Sequence, residues 1–362
     1  MAPRICSGAL PPESILCLPV RDLESDQPVD TRSLAGYRLP GVIDIHVHGG
    51  FGWDFAFGDP DRIETMLDGF LARGVTGVVA TLITCSEEQR LQSLADIATV
   101  AGRRQRPPAI LGIYLEGPFL APSRRGSHPA DLLRLPDLAA LHRWQDKARG
   151  MIRLVTLAPE LPGAIDFIRQ VQDDLKIRVA IGHTDADHAT TTAALEAGAS
   201  HVTHLYNAMR PFTHRDPTAV SAILRHRNVL VELIADGIHV CPEIVQMTFG
   251  LLGGERISLV SDCVSPAGLP DGIHEAYGTS LELRAGRCTF VGGHLFGGGR
   301  TLPDCLPVLR DVVRLPLSTI ASSVSHRPCQ ALGLDLPPGD VLFDQDFRWL
   351  ATRQGGTWFW AG

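Results

Sequence analysis

Eight short apolar runs, separated by longer stretches of helical period, constrain this 362-residue chain more than any other feature. The runs fall at 42–46, 75–82, 109–115, 152–157, 177–181, 201–205, 229–234 and 257–260. Between them, 61–73, 86–101, 163–174, 186–197 and 218–225 carry apolar residues at helical spacing. Alternating β and α elements imply a parallel sheet. Eight of them over roughly 220 residues predict an α/β chain folded as a (β/α)8 TIM-like barrel, a fold of about 250 residues. A doubly wound open sheet would call for G-x-G-x-x-G after its first strand. Gly49-Gly50-Phe51-Gly52 does not fit that pattern.

The barrel reading assigns 40–330 to the barrel and joins 1–39 with 331–362 in a small β appendage. Residues 1–39 hold only short apolar pieces, too little for a core of their own. Residues 339–362 alternate aromatic and polar residues and predict a hairpin turning near Gly355-Gly356. Helices are expected at 304–313 and 319–332. The glycine runs between 263 and 330 read as turns between short strands, because no Lys-Ser/Thr follows them as a phosphate cradle would require.

The polar residues at the ends of the runs suggest chemistry. His46 and His48 close the first run, Glu116 follows the third and His183 the fifth. His204 lies within the sixth, Asp236 and His239 follow the seventh, and Asp262 follows the eighth. In a barrel these ends share one rim, where active sites are built. His46 and His48 are two apart and leave one face of a strand, so both imidazoles can reach one divalent ion. A lone strand-end histidine is an ordinary hydrogen-bonded residue. So many convergent groups, drawn from imidazole and carboxylate types, predict a metal site. Asp262 could cap a helix, but the residues after it are not helix-like, which favours an acid/base role.

Composition narrows the partners. Net charge is -7, with 20% charged and 44% hydrophobic residues, so a broad nucleic-acid surface is not expected. No apolar run approaches the roughly 20 residues that span a bilayer, so no membrane partner is expected. The eight cysteines are scattered with no C-x-x-C pair. That pattern, with no signal-peptide pattern near residue 1, predicts a soluble protein of a reducing, cytoplasmic compartment.

Nine segments then resemble one family in its own order: PGVIDIHVHGG (40–50), YLEGPF (114–119), RRGSH (124–128), TLAPE (156–160), IGHTDA (181–186), THLYNAM (203–209), HRDP (214–217), DGIHV (236–240) and LVSD (259–262). The chain resembles the N-acetylglucosamine-6-phosphate deacetylase family of the amidohydrolase superfamily. The resemblance implies hydrolysis of the N-acetyl amide of an amino-sugar 6-phosphate. It implies Glu116, His183 and His204 as ligands of the catalytic metal, with zinc the expected ion. His46 and His48 would hold a second ion in members that use two. Asp262 would be the acid/base, and His128 would polarise the acetyl carbonyl. Asn207 with the backbone at Ala208, Arg215 and His239 would contact the sugar and phosphate, and a homodimer would bring Arg215 to the neighbouring subunit's site.

The chain departs from the family at several points. The N-terminal β region is short. RRGSH stands for KGAH, SDCVSPAG for a TDA-type run, and His294–Arg300 for a small-residue LAGS-like segment. Alternatives left open are N-acetylgalactosamine 6-phosphate, a nonphosphorylated N-acyl or cyclic amide, and an inactive sugar-phosphate-binding paralogue. The intact ligand set and Asp262 argue against the last.

Overall fold

The computed structural model describes residues 36–335 and 339–361, together with the backbone of 4–7, 21–22 and 27–28. Eight parallel strands form one sheet in sequence order: Ile43–Val47, Gly77–Leu82, Ala109–Phe119, Ile152–Leu157, Arg178–Ile181, His201–Val202, Leu230–Ile234 and Ile257–Val260. Residues from nearly every strand, among them Ile43, Val79, Tyr114, Leu154, Ala180, Ile234 and Val260, meet in one buried cluster, the inside of the barrel. Cys329, Ala331 and Leu332 of the helix His326–Leu332 join it. The larger cluster lies between the strands and the helices, as a TIM-like barrel requires.

The helices form where the sequence starts and faces them correctly. Asp59 caps Pro60–Leu71 by accepting from the amides of Asp61 and Arg62, and Ile63, Met66, Leu67 and Phe70 supply its buried face. Ser86 caps Glu87–Arg103. Two helices lie beyond the expected set, Leu138–Lys147 behind the cap Asp137 and Pro242–Leu252 with proline in its first turn. The sixth strand is shorter than expected and ends at Val202, so His204 sits past it with φ of 23°.

Among the described residues, two larger antiparallel sheets are appended. Arg4–Ser7, Gly36–Leu39, Gly339–Asp344, Trp349–Gln354 and Thr357–Trp360 form a five-stranded sheet from both ends of the chain. Its C-terminal part is a three-strand meander rather than one hairpin. The expected turn at Gly355–Gly356 joins the last two strands, and a second turn precedes Trp349. Gly272–Ala276, Thr279–Arg284, Arg287–Phe290 and Leu295–Gly298 form a four-stranded sheet after the eighth barrel strand. The glycine run 297–299 therefore enters a strand. Gly298 donates to the Asp262 carbonyl at 2.8 Å and comes so close that a Cβ there would lie 2.3 Å from the Ser261 carbonyl oxygen.

The barrel closes between its first and eighth strands. The Asp262 amide donates to the His46 carbonyl at 2.9 Å, and the buried Asp44 carboxylate accepts from the Ser261 amide and hydroxyl. Burial pushes the Asp44 carboxyl up to about 7 even though these hydrogen bonds oppose it. Ser261→Ala leaves this buried group short of a donor. The expected result is a loss of about 1–3 kcal/mol in denaturant unfolding. An unchanged midpoint would show that the seam does not depend on this contact.

Candidate active site

His48, Glu116, His128, His183, His204 and Asp262 line one open cavity, and His46 lies buried against Glu116 and Asp262. The third strand carries Glu116 to its far end, and the turns after the fifth and sixth strands deliver His183 and His204. His183 Nε2 and His204 Nε2 lie 2.9 and 2.8 Å from Glu116 Oε1, and 3.2 Å from each other. His183 Nδ1 must donate to the Arg124 carbonyl at 2.9 Å, because a carbonyl only accepts, so its Nε2 presents a lone pair to the cluster. Lone pairs this close repel one another unless protons or a metal cation lie among them. The donor set of two imidazoles and a carboxylate fits a divalent ion of the zinc type.

A second group shares Glu116. His48 Nε2 lies 3.0 Å from Glu116 Oε2 and 3.3 Å from Asp262 Oδ1. His46 Nε2 lies 3.6 Å from Glu116 Oε1 and 3.4 Å from Asp262 Oδ1, is buried, and has no hydrogen-bond partner. His46, His48, Glu116 and Asp262 thus form a second set of converging ligand atoms. Its electrostatics demand positive charge. Burial works to lower His48, yet Asp262 and Glu116 push it up to about 9. Burial works to raise the Glu116 carboxyl, but His46, His128 and His183 hold it well below the usual carboxylate range.

His128 faces the cluster from the other side, with Nε2 3.2 Å from Glu116 Oε2. The Thr84 amide can only donate, and it lies 3.3 Å from His128 Nδ1, with the Thr84 hydroxyl at 2.8 Å. Nδ1 is therefore the acceptor and Nε2 carries the proton. Burial drives His128 down to about 4 against the pull of Glu116, so the imidazole is neutral at pH 7 and offers an N–H donor. Gly117 makes room for this arrangement. Its φ is 100°, and a Cβ there would lie 2.2 Å from the Thr84 hydroxyl oxygen.

Asn207, Ala208 and His239 line the same cavity, together with Ile83, Ser127, Val264, Leu295 and Phe296. Asp236 positions His239, accepting from its amide and its Nδ1, each at 2.8 Å, so Nε2 is left to the cavity. Arg215 is different. It is exposed and does not line the cavity, and the loop's acid, Asp216, pairs with Arg210 instead.

Sequence reasoning missed Thr84 and Glu232. Glu232 lies fully buried on the seventh strand, 2.7 Å from His46 Nδ1, 2.8 Å from His201 Nε2 and 3.1 Å from the His204 amide. Burial opposes its ionisation, but His46 and His201 hold it down to about 2. A lone carboxylate inside the apolar run 229–234 was the available signal. Thr84 gave none, because its role depends on a backbone amide.

A parallel barrel with histidines and carboxylates gathered at its strand ends defines a metal-dependent hydrolase of the amidohydrolase type. The amidohydrolase family profile matches residues 37–335, and the chain belongs to that family. A Bacillus subtilis N-acetylglucosamine-6-phosphate deacetylase is 35% identical over 311 residues, 85% of this chain and 78% of its own length. An Escherichia coli O157:H7 N-acetylgalactosamine-6-phosphate deacetylase is 33% identical, over 82% of this chain and 78% of its own. The structure of a Mycobacterium smegmatis N-acetyl-D-glucosamine-6-phosphate deacetylase mutant in complex with N-acetyl-D-glucosamine-6-phosphate superposes with a TM-score of 0.84 at 32% identity. That match covers 90% of this chain and 87% of the other. Among the described residues no helix is long and apolar enough to cross a membrane.

Metal binding gives this site a direct test. A divalent ion at about 100 times its dissociation constant should stabilise stripped protein by about 2.7 kcal/mol. Glu116→Gln should abolish most of that gain in a thermal melt. A melt insensitive to divalent ions would contradict a metal centre here.

Proposed function

We propose that this chain hydrolyses N-acetylglucosamine 6-phosphate to glucosamine 6-phosphate and acetate. The observation that carries the proposal is the convergence of Glu116, His183, His204, His128 and Asp262 on one cavity whose lining includes Asn207, Ala208 and His239. The relatives named above support the sugar phosphate as substrate. Glu116, His183 and His204 hold the catalytic ion, for which zinc suits the donor types. His46 and His48, with Glu116 and Asp262, hold a second. The six free thiols among the described cysteines suit a cytoplasmic enzyme.

A bound divalent ion polarises the acetyl carbonyl and lowers the pKa of water toward about 7. The protein's own groups do the rest. Asp262 takes a proton from the attacking water and delivers it to the departing nitrogen, so the C–N bond breaks with release of the free amine. Its backbone is fixed on both sides, to His46 and to Gly298, which keeps the carboxylate in place. His128 donates its Nε2–H to the developing oxyanion. His239 and the Asn207–Ala208 turn orient the sugar phosphate. Arg215, exposed on its loop, serves the partner's site in a homodimer, where its guanidinium grips the 6-phosphate.

The galacto epimer is a second reading, favoured by the Escherichia coli relative and by Leu295 and Phe296 in the cavity wall where the family resemblance has small residues. Acetate release from a panel of N-acetylated gluco and galacto sugars, with and without 6-phosphate, decides between them. Fastest turnover of N-acetylglucosamine 6-phosphate supports the proposal. No acetate from either phosphate rejects it.

Asp262→Asn should keep the fold and lower kcat by about 10²-fold or more. A kcat within about threefold of wild type would make Asp262 structural. Arg215→Ala should weaken turnover of the phosphorylated sugar far more than of its nonphosphorylated analogue. Mixing Arg215→Ala with Asp262→Asn subunits should restore activity, because one site of the mixed dimer keeps both groups. No rescue in demonstrably mixed dimers would confine Arg215 to its own subunit.

A further inference from the structure

We infer that Glu232 is the positioning residue that equips this chain for a second divalent ion. Its carboxylate decides which nitrogen His46 offers and ties that histidine to the ligand group of the first ion. The inference rests on the two-ion reading above.

Glu232 stands alone as a charge on the apolar strand Leu230–Ile234, and it is fully buried. Burying a carboxylate is costly unless it is paired and hydrogen-bonded. Three donors meet this one. Oε2 accepts from His46 Nδ1 at 2.7 Å and from the His204 amide at 3.1 Å, and Oε1 accepts from His201 Nε2 at 2.8 Å. An ionised carboxylate only accepts, so His46 carries a proton on Nδ1. That leaves Nε2 as the nitrogen that can give up its proton to offer a lone pair to an ion. That atom is buried, unpartnered, and lies between Glu116 Oε1 and Asp262 Oδ1 at 3.6 and 3.4 Å. A carboxylate behind an imidazole fixes ring orientation and strengthens the ligand at the far nitrogen.

The shared oxygen has a further consequence. Oε2 also holds the backbone of His204, which turns there with φ of 23° and sends its own Nε2 to Glu116. One carboxylate oxygen thus sets a ligand of each ion, and with it the spacing between the two groups. His201 touches the other oxygen and reaches neither group of converging ligand atoms.

Stripped protein titrated with zinc alone, followed by calorimetry and elemental analysis, tests this. Wild type should bind two ions per chain. Glu232→Gln keeps a carbonyl oxygen for the His204 amide but loses the charge behind His46, so it should keep the first ion and weaken the second by about 10–100-fold. His201→Gln disturbs the same buried cluster but leaves the His46 contact, so it should keep both. Wild-type affinity for two ions in Glu232→Gln, or equal loss in the two variants, would overturn the inference. One ion in the wild type would overturn the two-ion reading before any variant is made. If Glu232→Gln does not fold, a neutron structure of zinc-loaded wild type decides: a proton on His46 Nδ1 facing Glu232 supports the role, and coordination through Nδ1 rejects it.

Discussion

The site depends on one buried carboxylate. Glu116 takes His183 and His204 on one oxygen and His48 and His128 on the other, with His46 slightly farther off. Five imidazoles around one buried carboxylate at the barrel rim make a cluster that needs compensating charge. The arrangement is stable when positive charge is supplied, by protons or by a metal ion. The protein therefore carries a buried cluster whose charge is balanced either by protons on the imidazoles or by a bound ion.

Much of the surrounding structure holds that cluster in place. His183, His204 and Asp262 all leave their strands with positive φ, a region that L-residues adopt at a cost. Each is held there by specific contacts: the Arg124 carbonyl on His183, Glu232 on the His204 amide, and the His46 and Gly298 backbones on Asp262. Beneath them Tyr114, Thr156 and Thr203 form a closed set of hydroxyl hydrogen bonds at 2.8–3.1 Å, and the Tyr114 ring meets His46 edge-on. The barrel seam at Asp44–Ser261 lies two residues from His46 and one from Asp262. Closing the barrel and aligning the proposed acid/base group are therefore the same event.

The barrel was legible because its period is written along the chain: eight apolar runs, six of them ending at or near a histidine or carboxylate that the structure carries to the rim. Less was legible where a role is set by geometry rather than residue type. The helix Leu138–Lys147 buries only Ala140, Leu141 and Trp144 among polar residues, too few to declare a period. His204 was expected within a strand, but the backbone turns before it because Glu232 accepts its amide. Thr84 acts partly through its main chain, which no side-chain pattern records. Glu232 was visible, as a charge in an apolar run, but its meaning required knowing that His46 and His201 flank it. Arg215 is the opposite case, since its role was expected from resemblance and the cavity of its own chain does not include it.

The central claim is that Glu116 is shared between two ligand groups at the barrel rim. Anomalous diffraction at the zinc edge, from crystals of zinc-loaded protein, tests it most directly. The account predicts one peak among Glu116, His183 and His204 and a second among His46, His48, Glu116 and Asp262, with the Glu116 carboxylate between them. Peaks that avoid Glu116, or a Glu116 side chain turned away from both histidine pairs, would contradict it.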